Sequence, residues 1–241
     1  MSQTGLLKSS LAKKYWMAFT GLFLCLFLVG YLLGNLQLIF VTGIEGQLQF
    51  NEYALFMTSN PAVKILSYVT YASILFHAID GLVLTIRNRK ARPTNYAYNK
   101  PSANSMWSSR NMGVLGTVIL AFIVVHMYNF WAKMHFAEMP DQTMGPDGVL
   151  EEPIRDLHTI VMNFFDPAVN SLALVAVIFY VLAMMAVAFH LTHGFQSAFQ
   201  SLGLNHPKYN KFVRGLGYGF AILVPAAFAI IPIVIFVNQM A

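Results

Sequence analysis

The sequence predicts an all-α membrane protein with five transmembrane helices, and three observations carry that expectation. The 241 residues are 57% hydrophobic and 10% charged, with 20 phenylalanines, far from the quarter-charged composition of a soluble domain. Five stretches hold about 20 or more apolar-dominated residues, enough for a helix to cross a hydrocarbon core of about 30 Å. The basic residues are segregated by loop, as a fixed membrane topology requires.

Taken in order, the expected spans cover approximately 15–41, 63–86, 112–134, 169–199 and 212–237, within one domain, 1–241. The first follows Lys13 and Lys14 and is too long for a signal peptide, with no small-residue cleavage site after it. The second stops at the run Arg87, Arg89 and Lys90, and the third starts just after Arg110. The fourth extends past its apolar core to Phe199, and the fifth begins after Lys208 and Lys211. Trp16, Trp107 and Trp131 fall near span ends, where indoles anchor at the interface. The stretch from Ala137 to Asp166 is long and acidic, and Pro153 followed by Ile154, Leu157, His158, Val161 and Phe165 suggests a short amphipathic surface helix.

Lys8, Lys13, Lys14, Arg87, Arg89, Lys90, Arg92, Lys100, Arg110, Lys208, Lys211 and Arg214 put 12 of the 15 basic residues on one side. The other side carries Glu45, Glu52, Glu138, Asp141, Asp147, Glu151, Glu152, Asp156 and Asp166 against Lys64, Lys133 and Arg155. The expectation is a multi-pass protein of the cytoplasmic membrane with its N-terminus cytoplasmic and its C-terminus outside. The net charge of +5 then reflects topology and gives no reason to invoke nucleic acid. Cys25 stands alone inside the first span, so neither a disulfide framework nor a cysteine metal site is available. No Walker-type glycine loop, serine nucleophile motif or internal repeat is present.

Chemistry is concentrated in three histidines deep in apolar stretches, His77, His126 and His190. An ionisable side chain in hydrocarbon is expensive, which makes each a functional candidate, and a b-type haem is the ligand that best fits. At about 1.5 Å of rise per residue, His77 and His190 both lie roughly 15 Å from the basic side, whereas His126 lies roughly 22 Å in. Matching depth suits two axial ligands of one iron. The residue at His126's depth on the first span is Tyr31. Asp80 is the one carboxylate inside a span, a turn after His77, and must be protonated or partnered. Arg87, Arg89, a neighbour of a haem ligand, a proton path to quinone and simple helix packing all remain open for it.

The segments "KKYWMAFTGLFLCLFL", "GNLQLIF", "FHAIDGLVLTIRNRKARP", "VVHMYNFWAKMHFAEM" and "FHLTHGFQSAFQSLGLN" resemble the di-haem cytochrome b anchor of succinate dehydrogenases and fumarate reductases, in its single-chain, five-helix form typical of Bacteroidetes. The resemblance covers nearly the whole chain. It implies a four-helix bundle binding haem b, plus a fifth helix. By the resemblance, His77 and His190 ligate the haem near the cytoplasm, and His126 supplies one ligand to an outer haem. The other outer ligand would come from a pattern similar to H-x-x-G-N, which here reads "YLLGN" with Tyr31 in the ligand position. That leaves the outer haem open, and one held by His126 alone, or none, is preferred over a tyrosine-ligated one. His193, in the same "FHLTHG", is a candidate neighbour of a propionate or of quinone. Glu52, in the expected first outer loop, is a quinone and proton candidate by approximate spacing, with Glu45 as its competitor. An iron–sulfur subunit and a flavoprotein subunit are the implied partners. They would carry the iron–sulfur clusters and FAD, with menaquinone as substrate, so that this chain does no succinate chemistry by itself. The cytochrome b anchor of another respiratory dehydrogenase and a non-haem proton- or ion-conducting protein are the alternatives.

Overall fold

In the computed structural model residues 9–91 and 100–240 are described. Lys8 and Arg92, counted above among the basic flanks, lie outside them, as does Pro93 of the motif ending "NRKARP". The elements are α1 (Ser10–Phe40), α2 (Gly43–Ser59), α3 (Pro61–Lys90), the single-turn helices α4 (Pro101–Asn104) and α5 (Trp107–Arg110), α6 (Met112–Phe136), the strands β1 (Asp141–Gly145) and β2 (Gly148–Arg155), α7 (Leu157–Phe165), α8 (Ala173–Ser201) and α9 (Pro207–Asn238). The chain is an all-α membrane protein: α1, α3, α6, α8 and α9 are each long and apolar enough to cross a bilayer.

These five helices run to between 25 and 32 residues, roughly 38 to 48 Å at 1.5 Å per residue, so their ends reach past a hydrocarbon core of about 30 Å. Their exposed surface is apolar. Leu26, Ile65, Leu82, Val124, Leu182 and Leu223 are all more than half exposed, which water would penalise and lipid accepts. The starts lie where local chemistry puts them. Asn60 precedes α3 and its side-chain oxygen accepts from the backbone N–H groups of Ala62 and Val63, at 2.9 and 3.3 Å, while Pro61 takes a first-turn position where its missing N–H costs nothing.

Two connections differ from expectation. Residues 43–59, expected as a loop, form the helix α2, with Gly46, Phe50, Asn51 and Ala54 buried at a spacing of three to four residues. The acidic stretch after α6 is a two-stranded antiparallel hairpin in which Asp141 pairs with Arg155 and Gly145 with Gly148. Pro153 belongs to strand β2 rather than starting a helix. The amphipathic helix exists but begins at Leu157, where the Asp156 carboxylate accepts from the Thr159 N–H at 3.0 Å, and it buries Val161 and Phe165.

Backbone contacts divide the chain into two compact units, and the long helices contribute to both. The unit of residues 28–68, 121–185 and 224–241 contains the acidic connections and a core that includes Phe50, Phe122, Phe165, Tyr180 and Ile235. Its polar hub is Asn51, which is fully buried. The Asn51 amide donates to Gln142 at 2.9 Å and to Asp156 at 2.8 Å, and its carbonyl oxygen accepts the His158 N–H at 2.8 Å. Gln47 donates to the other Asp156 oxygen at 2.7 Å. One side chain of α2 thus ties down β1 and the start of α7. The other unit, residues 1–27, 69–120 and 186–223, contains the basic connections.

Burial acts to raise the Asp156 pKa, but the hydrogen bonds from Thr159, Asn51 and Gln47 outweigh it and hold the carboxyl below its ordinary value. A depressed carboxylate stabilises the fold above its unfolded pKa, near 3.9, and that contribution is lost as pH falls through the lower folded value. Asn51→Ala removes the partner of the Gln142 side-chain oxygen and of the His158 N–H, and one of the donors to Asp156, a loss on the order of 2 kcal/mol. The expected outcome is earlier thermal unfolding and faster proteolysis between residues 137 and 156 in the detergent-solubilised protein. In the unsubstituted chain the same proteolysis should rise only below about pH 4.

Candidate functional site

The unit with the basic connections brings together His77 from α3 and His190 from α8, their ring centroids 6.2 Å apart and the planes inclined at 63°. A metal bridging two imidazoles, with bonds of about 2 Å and roughly 1 Å more from each ring nitrogen to its ring centre, spans close to this distance. The rings are held differently. Thr20 Oγ1 of α1 lies 3.1 Å from His77 Nδ1 and donates to the Trp16 carbonyl at 2.9 Å, which fixes one nitrogen of His77 and leaves Nε2 for another partner. His190 Nδ1 is buried and has no hydrogen-bond partner among the described residues, the kind of exception that asks for an explanation.

Three glycines keep backbone rather than side chains against these rings. A Cβ on Gly21 of α1 would lie 3.3 Å from His77 Cε1, and Cβ atoms on Gly116 of α6 and Gly194 of α8 would each lie 3.9 Å from the His190 ring. Three helices therefore present bare surface beside the histidine pair, which is what a flat macrocycle needs. The donor set, two imidazoles with ring centres 6.2 Å apart, suits haem iron. His193 sits one turn beyond His190, half-buried.

Asp80, one turn after His77, is buried, and its carboxylate pairs with the Lys13 ammonium of α1. Lys13, 67 positions away in sequence and supplied by the packing of α1 on α3, is a partner that was not among the expected candidates.

In the other unit His126 lies between two phenols. Tyr31 Oη of α1 is 2.8 Å from Nε2, and Tyr180 Oη of α8 is 3.2 Å from Nδ1. Neutral imidazole has one N–H and one acceptor, so one phenol donates to the ring and the other accepts from it, in either tautomer. Phe122 stacks on the His126 ring at 5.7 Å and 27°, with Phe130 edge-on at 5.3 Å. His126 also ends the regular part of α6: Met127–Ala132 form a π-helical segment, a form rare outside functional or strained places. Tyr53 of α2 packs on Gly34 of α1, one turn from Tyr31, where an added Cβ would fall 2.5 Å from the tyrosine ring and hydroxyl.

Glu52, next to Tyr53, is exposed, as is Glu45. Both are helical residues of α2 rather than loop residues. His135 stacks on Trp131 at 4.5 Å, His158 lies edge-on to Phe50 at 6.0 Å, and His206 is exposed. Three side chains of the two histidine sites went unread in the sequence: Thr20, Lys13 as the ion-pair partner, and Tyr180. Tyr180 had a faint signal, as a hydroxyl inside the apolar run of α8, but its role depends on which helix it faces.

The fold and these sites define a multi-pass α-helical membrane protein with a histidine pair in one unit and a phenol–imidazole–phenol chain in the other. No known family, curated protein or solved structure matches the chain.

Breaking one half of a poorly solvated ion pair leaves an uncompensated charge. Asp80→Ala is expected to cost on the order of 3 kcal/mol, read as a lowered melting temperature in detergent. Lys13→Ala with Asp80→Ala should cost clearly less than the two single losses together, since the stranded charge is removed. Strict additivity in that double-mutant cycle would mean the pair is not coupled.

Proposed function

We propose that this chain is the haem b-containing membrane anchor of a succinate:quinone oxidoreductase, passing electrons between an iron–sulfur subunit and menaquinone. The observation that carries the reading is the His77–His190 pair, 6.2 Å between ring centres and flanked by Gly21, Gly116 and Gly194. Haem, when bound, supplies one-electron transfer; the chain supplies its holding and its electrical setting. His77 and His190 would hold the iron, with Thr20 fixing the His77 tautomer and ring orientation. The Lys13–Asp80 pair places a neutralised couple one turn from His77, so that no unpaired carboxylate stands beside the iron. His193 remains the candidate neighbour of a propionate or of quinone, and Glu52 the candidate for handling quinone protons from the exposed face of α2.

Orientation and assembly follow from the charge asymmetry. The basic connections would face the cytoplasm and meet the iron–sulfur subunit, which in turn carries the flavoprotein, while the acidic hairpin and α7 would lie outside. The dependence of succinate chemistry on partner subunits makes this chain a conduit and an anchor in the same complex.

The test begins with the complex isolated from native membranes through a tag on this chain. Co-isolation of an iron–sulfur subunit and a flavoprotein with succinate:quinone activity is the expected result; a formate dehydrogenase or hydrogenase partner would overturn it in favour of another respiratory anchor. His77→Ala and His190→Ala should each remove the same low-spin haem b absorption, and His193→Ala should leave it in place. A chain without Soret absorption would favour proton or ion conduction instead. Thr20→Val, which removes the hydroxyl beside His77 Nδ1, should keep the haem but shift its midpoint potential.

A further inference from the structure

The second histidine site differs from the first in one respect that decides its chemistry. Both nitrogens of His126 are engaged by protein hydroxyls, Nε2 by Tyr31 at 2.8 Å and Nδ1 by Tyr180 at 3.2 Å. An iron ligated on opposite faces by Tyr31 and His126 would hold the two ligand atoms roughly 4 Å apart, with bonds of about 2 Å each. The observed separation is that of a direct hydrogen bond, and a macrocycle would have to pass between the two bonded atoms. Ligation by His126 alone meets the same obstacle, because the lone pair that would bind iron is the one already used by a phenol or replaced by an N–H.

The surrounding space is also filled. Tyr53 covers Gly34 one turn along α1, Phe228 lies 5.8 Å from the Tyr31 ring, and Phe122 stacks on His126. Beside the His77–His190 pair, by contrast, Gly21, Gly116 and Gly194 place backbone against the rings. The residues of the second site therefore do not fit a haem. They fit a neutral hydrogen-bonded chain in which a single proton occupies each of the two bonds.

We propose that Tyr31, His126 and Tyr180 form a haem-excluding site, so that the chain binds one haem and not two, and that Tyr31 is the residue that sets this stoichiometry. The proposal rests on the haem reading of His77 and His190. Tyr31 closes Nε2, Tyr180 closes Nδ1, and the pair keeps the imidazole neutral and oriented without metal. The direction of the chain is set by the tautomer of His126, and its polarity reverses when the ring proton changes nitrogen and both phenol hydroxyls turn to match.

Pyridine-haemochrome quantitation on the isolated complex is the direct test, with a ratio near one haem b per copy of this chain expected. His126→Gln, which retains a hydrogen-bonding side chain, and Tyr180→Phe should leave that ratio and the low-spin spectrum unchanged, whereas His77→Ala should reduce haem to near zero. Tyr31→His combined with Tyr53→Ala, which supplies a second imidazole and clears Gly34, should raise the ratio towards two. A ratio of two in the unsubstituted complex, or loss of half the haem in His126→Gln, overturns the exclusion and leaves the His77–His190 assignment standing. A ratio of zero overturns the proposed function itself. The wild-type ratio decides the matter even if the substituted chains fail to accumulate.

Discussion

Hydrocarbon offers no hydrogen bonds, and the polar residues of the long helices have to be understood from that constraint. A buried imidazole or phenol in such a place needs a partner supplied by the protein or by a bound group. Asp80 finds Lys13, His77 finds Thr20, and His126 finds Tyr31 and Tyr180. Each partner comes from a different helix, so every one of these bonds also fixes how two helices face each other. The polar side chains specify packing in a setting where apolar surfaces alone, being equally content against lipid, specify little.

The two histidine sites meet that constraint in different ways. At His126 the requirement is met internally, and aromatic rings close the space around it. At His190 a buried nitrogen has no partner among the described residues, and glycines on three helices bring backbone rather than side chains against the ring pair. The same residue type is thus fully partnered in one unit and left with an unpartnered buried nitrogen in the other. The difference arises from neighbours of two kinds, hydroxyls against glycines. It gives the contrast between the sites a physical basis that the histidines themselves do not have.

Outside the long helices a different economy operates. Asn51 engages its amide and its carbonyl oxygen with three residues, on β1 and at the start of α7. Such a fully satisfied polar hub is costly to disturb and gives the hairpin and α7 one position. Burial keeps His158 below its ordinary pKa, although the nearby Asp156 carboxylate works in the other direction. The exposed carboxylates Glu45 and Glu52 remain on the outer surface of α2, free to meet water or a partner.

What the sequence determined by itself was the class of structure and the positions of its polar exceptions. Length and hydropathy sufficed for five membrane-crossing helices, because a span is a property of consecutive residues and of a bilayer of fixed thickness. Depth counting put His77 level with His190 and Tyr31 level with His126, and each pair meets in space, since helical rise is nearly constant. Two local elements escaped. The alternation in residues 43–59 is that of a helix half-covered by a hairpin, and the hairpin pairs residues up to 14 positions apart, so neither pattern is complete without the other. The other partners were decided by the tertiary structure alone. Lys13 is 67 residues from Asp80, Thr20 is 57 from His77 and Tyr180 is 54 from His126, and no periodicity connects such positions. Helix rotation decides which side chains face inward, and rotation is set by packing against neighbours rather than by any one helix's own sequence.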